Sequence, residues 1–175
     1  MVYELFLIET GEVTDMLNGK LVGIFTSPKA GELMVSNNEI RAIPGKGLQG
    51  DRYFSSLGPS TKKPDPGREV TLIEVETISA LERDLDIVLN LGDSRRNLVT
   101  KGVALNHLVG QDFKIGEVSL RGVRLCEPCS HLAKLTKKEV LPALVHRGGL
   151  RAQILNEGFI HVGDPIVISD NPSRV

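Results

Sequence analysis

A mainly β fold, barrel-like with a few peripheral α-helices, is what the sequence predicts, and three observations predict it. Short β-type runs recur at Leu21 to Thr26, Glu39 to Ile43, Val70 to Ile73, Asn97 to Val99, Val118 to Leu125, Leu150 to Ile154 and Val162 to Ile168. Gly and Pro punctuate them at the intervals typical of barrels and sandwiches. Helical periodicity is confined to two stretches, so strands and helices do not alternate as a doubly wound parallel sheet requires.

The first helical stretch is Glu74 to Leu85, where Ile78, Leu81 and Leu85 fall on one apolar stripe. The second opens with Thr136 and Glu139, spaced as a capping box, and carries Val140, Leu141, Leu144 and Val145 on its apolar face. Gly148 and Gly149 close it. Between strands, Ser55 to Gly67 reads SSLGPSTKKPDPG, a polar loop with three prolines and two glycines. A structureless loop of that length reads as a mobile flap near a site. At 175 residues, 41% apolar and 25% charged, the chain is expected to form a single domain, 1–175, around one core.

Charge excludes some partners. Lys and Arg number 21 against 22 Asp and Glu, a net charge of −1, so no global field draws nucleic acid or an anionic membrane and any anion site must be local. The N-terminal MVYELFLIET carries Glu4 and Glu9 and lacks a basic leading region; no secretory signal is expected. No apolar run approaches the ~20 residues that span a bilayer. A cytoplasmic location with both cysteines reduced is the expectation.

Three motifs carry candidate chemistry. Gly45-Lys46-Gly47-Leu48-Gln49-Gly50 has the spacing of a dinucleotide-binding turn, but Asp51-Arg52-Tyr53-Phe54 leads into the Pro-rich loop where a helix should begin. Two readings stay open: a tight turn whose glycines supply positive φ, and an anion nest of backbone N–H groups supported by Lys46 and Arg52. Ser94-Arg95-Arg96-Asn97-Leu98-Val99 places two guanidinium groups and an amide at the start of a strand, where Arg95 and Arg96 should face opposite ways and at most one line a site. Either that one anchors an anion or the two form a solvated surface pair.

Cys126-Glu127-Pro128-Cys129 holds the only two cysteines, at a strand-to-helix junction. Pro128 suits the first helical position, which would put Cys129 in the first turn, where free N–H groups and the helix dipole favour a thiolate. The alternatives are small buried hydrophobes, a redox pair of the thioredoxin kind that lacks its βαβ setting, and a zinc site. For zinc, Cys126, Cys129 and His131 fall short of four ligands unless His107 or His146 is recruited from afar.

In this order and spacing the motifs resemble the MOSC family, named for the C-terminal domain of molybdenum cofactor sulfurases. The resemblance runs from about Lys20 to Ile168. It rests on Gly47-Leu48-Gln49-Gly50-Asp51-Arg52, Val70-Thr71-Leu72-Ile73 before a helix, Arg96-Asn97-Leu98-Val99, Phe113-Lys114-Ile115-Gly116, Pro128-Cys129 and Gly163-Asp164-Pro165. It implies a β-barrel-like MOSC fold that binds molybdenum cofactor (molybdopterin). Cys129 would carry sulfur or act as a ligand to molybdenum, a thiolate-compatible metal.

Arg96 and Asn97 would contact the pterin or its phosphate, and the turn comprising Lys46, Gly47, Gly50, Asp51 and Arg52 would complete the cofactor site. Cofactor sulfurases add a pyridoxal-phosphate-binding desulfurase domain for which this chain has no room, so no pyridoxal phosphate is expected on it. Standalone relatives accept sulfur from a separate cysteine desulfurase, or assist reduction of N-hydroxylated compounds with molybdoenzyme or electron-transfer partners. The resemblance therefore implies a sulfur carrier or transferase, set against a thiol oxidoreductase using Cys126 and Cys129 and against a noncatalytic cofactor-binding module. On the anchor reading, Asn97→Ala should weaken ligand binding and leave the fold's melting temperature little changed.

Overall fold

A computed structural model describes residues 19–55 and 65–168. Of the expected flap, residues 56–64 lie outside the described part. The strands are β1 (Gly19–Thr26), β2 (Val35–Asn37), β3 (Glu39–Ile43), β4 (Gly47–Leu48), β5 (Val70–Glu74), β6 (Leu98–Lys101), β7 (Asp112–Ile115), β8 (Val118–Leu125), β9 (Leu150–Ile154), β10 (Gly158–His161) and β11 (Pro165–Ile168). The α-helices are α1 (Val75–Leu85), α2 (Ser130–Leu135) and α3 (Val140–Ala143).

Seven strands, in the order β11-β7-β8-β9-β5-β6-β1, close through a β1–β11 pairing into a barrel. β2 extends β1 at one end, and β10-β3-β4 form a separate small sheet. The mainly β barrel expected from the sequence is the fold. Alternation fills its interior: Val70 and Leu72 of β5, Leu120 of β8, and Leu150, Ala152 and Ile154 of β9 join one core cluster. A bulge in β1 between Leu21 and Gly23 shifts the phase, which lets Leu21 and Ile24 join the same core although they are three residues apart.

The pair β5–β6 is parallel, and α1 makes the crossover between them. Its apolar stripe has two jobs. Ile78 packs on the outward-facing Ile73 and Val99, whereas Leu81 joins Ile87, Leu132, Val140 and Leu144. That second cluster ties α2 and α3 to α1, and so fixes where the segment after β8 crosses the outside of the barrel. Leu85, expected on the stripe, is exposed, at the last turn before Asp86 caps the helix in the left-handed conformation.

The second helix departs from expectation. Instead of one helix opened by a Thr136–Glu139 capping box, two short helices flank residues 136–139. The Thr136 hydroxyl donates backward to the Leu132 carbonyl at 2.8 Å, at the end of α2, so it is not free to cap α3. Among the described residues no helix is long and apolar enough to cross a membrane.

Candidate functional site

A cavity of about 410 Å³ lies against the outer side of the barrel and draws together segments distant in sequence. Thr71 of β5 and Arg151 of β9 form part of its wall. Arg52 and Tyr53 come from the segment after β4, Arg95, Arg96 and Asn97 from the segment before β6, and Cys126, Cys129, His131 and Leu132 from the β8–α2 junction. Thr71 and Arg151 reach it because they alternate with core residues along their strands and so face outward.

Arg95 and Arg96 both line the cavity, contrary to the expectation that a strand would separate them. The reason is local. Arg95 sits in the left-handed region at φ 60° as the cap of a 3-10 turn, and the strand begins only at Leu98. Its Nη1 donates to the Glu32 carbonyl. Burial, and then the nearby Arg52 guanidinium, pull its pKa below the ordinary arginine value.

Arg96 is buried and its guanidinium is committed to the backbone: Nε donates to Gly148 O (2.9 Å), Nη2 to Cys126 O (3.0 Å) and Nη1 to Ser94 O (3.3 Å). It joins the cysteine segment to the 146–149 turn. Cys126 N donates to Gly149 O at 2.7 Å in the same joint, and Glu127 accepts from the backbone N–H of His146 (2.9 Å). Gly149 has φ +108°, and a Cβ there would collide with the Leu72 carbonyl oxygen, so only glycine brings the turn this close to β5.

Asn97 is equally committed. Its Oδ1 accepts from Thr71 N (3.2 Å) and Thr71 Oγ1 (2.9 Å), and its Nδ2 donates to Phe25 O (3.2 Å) and Asp51 Oδ1 (3.3 Å). Every site the amide offers is occupied. The expectation that Asn97 could be removed with little effect on the fold is therefore replaced by a structural role. Asp51, 3% exposed, also accepts from Ser27 N (3.0 Å) and Tyr53 N (3.3 Å). These residues form a buried polar frame behind the cavity.

Arg52 is the exception to this saturation. Its Nη1 is buried with no hydrogen-bond partner among the described residues and stands 4.0 Å from Asp51 Oδ1. The guanidinium lies 5.1 Å from the Tyr53 ring centroid. A buried cationic donor without a hydrogen bond is costly unless a ligand meets it.

Lys46, Gly47 and Gly50 do not line the cavity. The turn's amides serve the chain itself: Lys46 N donates to Ile43 O (3.1 Å), and Gly45 N–H and Ile154 N–H donate to the Glu69 carboxylate. Burial pushes the Glu69 carboxyl up, and these bonds offset part of that. The nest reading thus meets an anion, but the anion is a side chain of this protein. Gly47, at φ +95°, leaves room for the Glu69 backbone.

Cys129 is exposed and is the N-cap of α2, one position before the first turn that the sequence suggested; Cys126 is buried and also free. Both face the cavity. Among the described residues no group of three or more His, Cys, Asp or Glu side chains is placed to hold a metal ion, so His107 and His146 do not complete a site with the cysteines. Sequence reasoning missed Tyr53 and Arg151 as cavity residues. The outward alternation of Arg151 in LRAQI was visible, but nothing local shows which neighbour it faces.

The lining contains four arginines and His131 and, among the described residues, no carboxylate side chain. What this arrangement can do is hold an anion beside an exposed thiol.

The fold is similar to the crystal structures of YuaD from Bacillus subtilis (TM-score 0.74, 14% identity, covering 88% of this chain and 97% of that one) and of YiiM from Escherichia coli (0.64, 17%, 90% and 72%). YiiM from Geobacillus stearothermophilus gives 0.62 at 15% identity, covering 90% and 76%. A search of curated proteins gives no match. The family model described as the MOSC domain matches residues 56–167, more than half of the sequence. The chain belongs to the MOSC domain family.

Proposed function

We propose that this is a cytoplasmic, molybdenum-cofactor-linked protein whose cavity holds an anionic ligand and whose Cys129 handles sulfur. The observation that carries the reading is the buried Arg52 Nη1 with no partner among the described residues, in a cavity lined by three further arginines and both cysteines. Such a donor set fits a phosphate-bearing cofactor, because guanidinium forks match oxyanion geometry. Arg52, Arg95 and Arg151 are the residues with capacity to hold it; Arg96 and Asn97 shape the wall behind them. When bound, the cofactor supplies a metal centre compatible with thiolate ligands.

The residues of the chain do the rest. Cys129 shares the cavity lining with these arginines and supplies the sulfur nucleophile. Its place outside the barrel leaves it open to a sulfur donor or a partner protein. The test is mass spectrometry after incubation with a cysteine desulfurase and cysteine, together with molybdenum and pterin content of protein from a cofactor-competent host. An adduct of about 32 daltons on Cys129, one added sulfur, supports sulfur handling. Bound pterin without an adduct supports a noncatalytic cofactor-binding module.

Because both cysteines face one cavity, a thiol oxidoreductase is the second reading. It requires both thiols for turnover.

A further inference from the structure

The cavity presents its cationic groups next to a thiol, and this pairing bears on which sulfur donor it accepts. We infer that the cavity takes a small anionic donor of the thiosulfonate class, inorganic thiosulfate being the simplest, and that Cys129 removes its outer sulfur. The inference rests on the sulfur-handling reading and names its substrate class.

Three observations support it. Arg52 Nη1 is buried without a hydrogen-bond partner among the described residues. The Asp51 oxygens beside it are already engaged by Ser27 N, Asn97 Nδ2 and Tyr53 N, so Asp51 is a poor substitute for an incoming oxyanion. Among the described residues, Arg95 and Arg151 each donate one nitrogen to a backbone carbonyl, Glu32 O and Gly67 O respectively, and keep the others, and they line the same cavity as Cys129. Like-charged guanidiniums gathered without a lining carboxylate are stabilised by a bound dianion. A sulfonate has the oxygens to meet several forks at once. At about 410 Å³ the space also admits donors with an organic substituent.

The step balances without an outside oxidant or reductant. The exposed Cys129 thiol releases its proton to water, and the thiolate attacks the outer, sulfane sulfur. An S–S bond forms to Cys129 Sγ as the donor's own S–S bond breaks. The electron pair of that bond leaves with sulfite, or with a sulfinate from an organic donor. A weakly basic leaving group of this kind departs readily, and Cys129 is left as a persulfide.

The test uses the whole protein with thiosulfate as the probe. Saturable addition of one sulfur to Cys129, release of one equivalent of sulfite, and competition by sulfate are expected. Arg52→Gln and Arg95→Gln should each raise the half-saturating thiosulfate concentration about tenfold or more, the usual loss when a hydrogen bond to a charged group is removed. To keep the test independent of how the variants fold, sulfate protection of Cys129 against a neutral alkylating agent is measured on the unaltered protein, where saturable protection is expected. If a cysteine desulfurase loads Cys129 and thiosulfate does not, the donor class is wrong and the sulfur-handling reading stands. Loading by thiosulfate that is indifferent to sulfate and to both substitutions would also overturn the inference. Failure of both donors removes the inference and the reading beneath it.

Discussion

Two cavities of nearly equal size balance their charges in opposite ways. One, of about 420 Å³, is lined by Glu39, Gly116, Glu117, Phe159, His161 and Asp164. There each charged group has a partner within the chain: His161 Nε2 lies 3.3 Å from Glu39 Oε2 and its Nδ1 3.6 Å from Asp164 Oδ2, while Glu117 accepts from Phe159 N at 3.0 Å. The other, of about 410 Å³, gathers Arg52, Arg95, Arg96 and Arg151 around the cysteines with no lining carboxylate among the described residues. Size does not distinguish the two. Incomplete hydrogen bonding does, since a fold that leaves a buried cationic donor without an acceptor has kept an instability that a ligand can relieve.

The largest expected effect is on the thiols. Cys129→Ser should abolish sulfur loading, and Cys126→Ser should keep most of it, read by mass spectrometry under reducing conditions. Equal loss in both variants, with an intramolecular disulfide in the unaltered protein, would favour the oxidoreductase reading.

Next come changes to the frame behind the cationic cavity. Gly149→Ala should cost about 3 kcal/mol, combining strain at positive φ with the clash against Leu72 O. Asn97→Ala should cost about 2–4 kcal/mol, because it strips partners from Thr71, Phe25 and Asp51 in a buried network. Denaturant unfolding measures both, and an unchanged midpoint for Asn97→Ala would return Asn97 to the ligand-anchor role. Arg96→Lys should cost about 1–2 kcal/mol and speed labelling of the buried Cys126, since an ammonium cannot span Gly148 O and Cys126 O with the same fork.

What the sequence made legible follows from how local each signal is. The barrel was visible because alternation is a property of each strand alone. The closing strand was set at Val162 to Ile168, where the structure has β11 at Pro165–Ile168 and a separate β10 at Gly158–His161, because a tight turn through Gly163 splits one apolar run. β7 at Asp112–Ile115, four residues long, offers too little alternation to stand out. The cysteine pair stands out in the sequence because the CxxC spacing is local and uncommon, and the structure places both thiols on the cavity lining. Arg95 was misplaced because strand geometry was assumed for a residue with positive φ. The hydrogen-bond partners of Arg96 and Asn97 were not legible because Gly148, Cys126, Phe25 and Asp51 lie 30 or more residues away.

The smallest effect is a pH-dependent one at Asp65. Hydrogen bonding to Arg124 holds the Asp65 carboxyl below the ordinary carboxylate range. A depressed folded-state pKa contributes stability above the unfolded value and loses it as pH falls through the folded one. Asp65→Asn should therefore lose at most about 1 kcal/mol at neutral pH, the scale of an exposed ion pair. The gap to the unaltered protein should close in strong acid, and a gap independent of pH would assign the effect to something other than ionisation.

Whether the four arginines that share the cavity with Cys129 draw anions to its thiol is read most directly by alkylation with reagents of different charge. In a Cys126→Ser background, the rate with anionic iodoacetate is divided by the rate with neutral iodoacetamide and compared with the same ratio for a short unstructured cysteine peptide. The expected ratio lies above the peptide's, falls with added salt, is lowered by Arg52→Gln and is unmoved by His161→Gln. A ratio equal to that of the peptide, insensitive to salt and to Arg52→Gln, would contradict it.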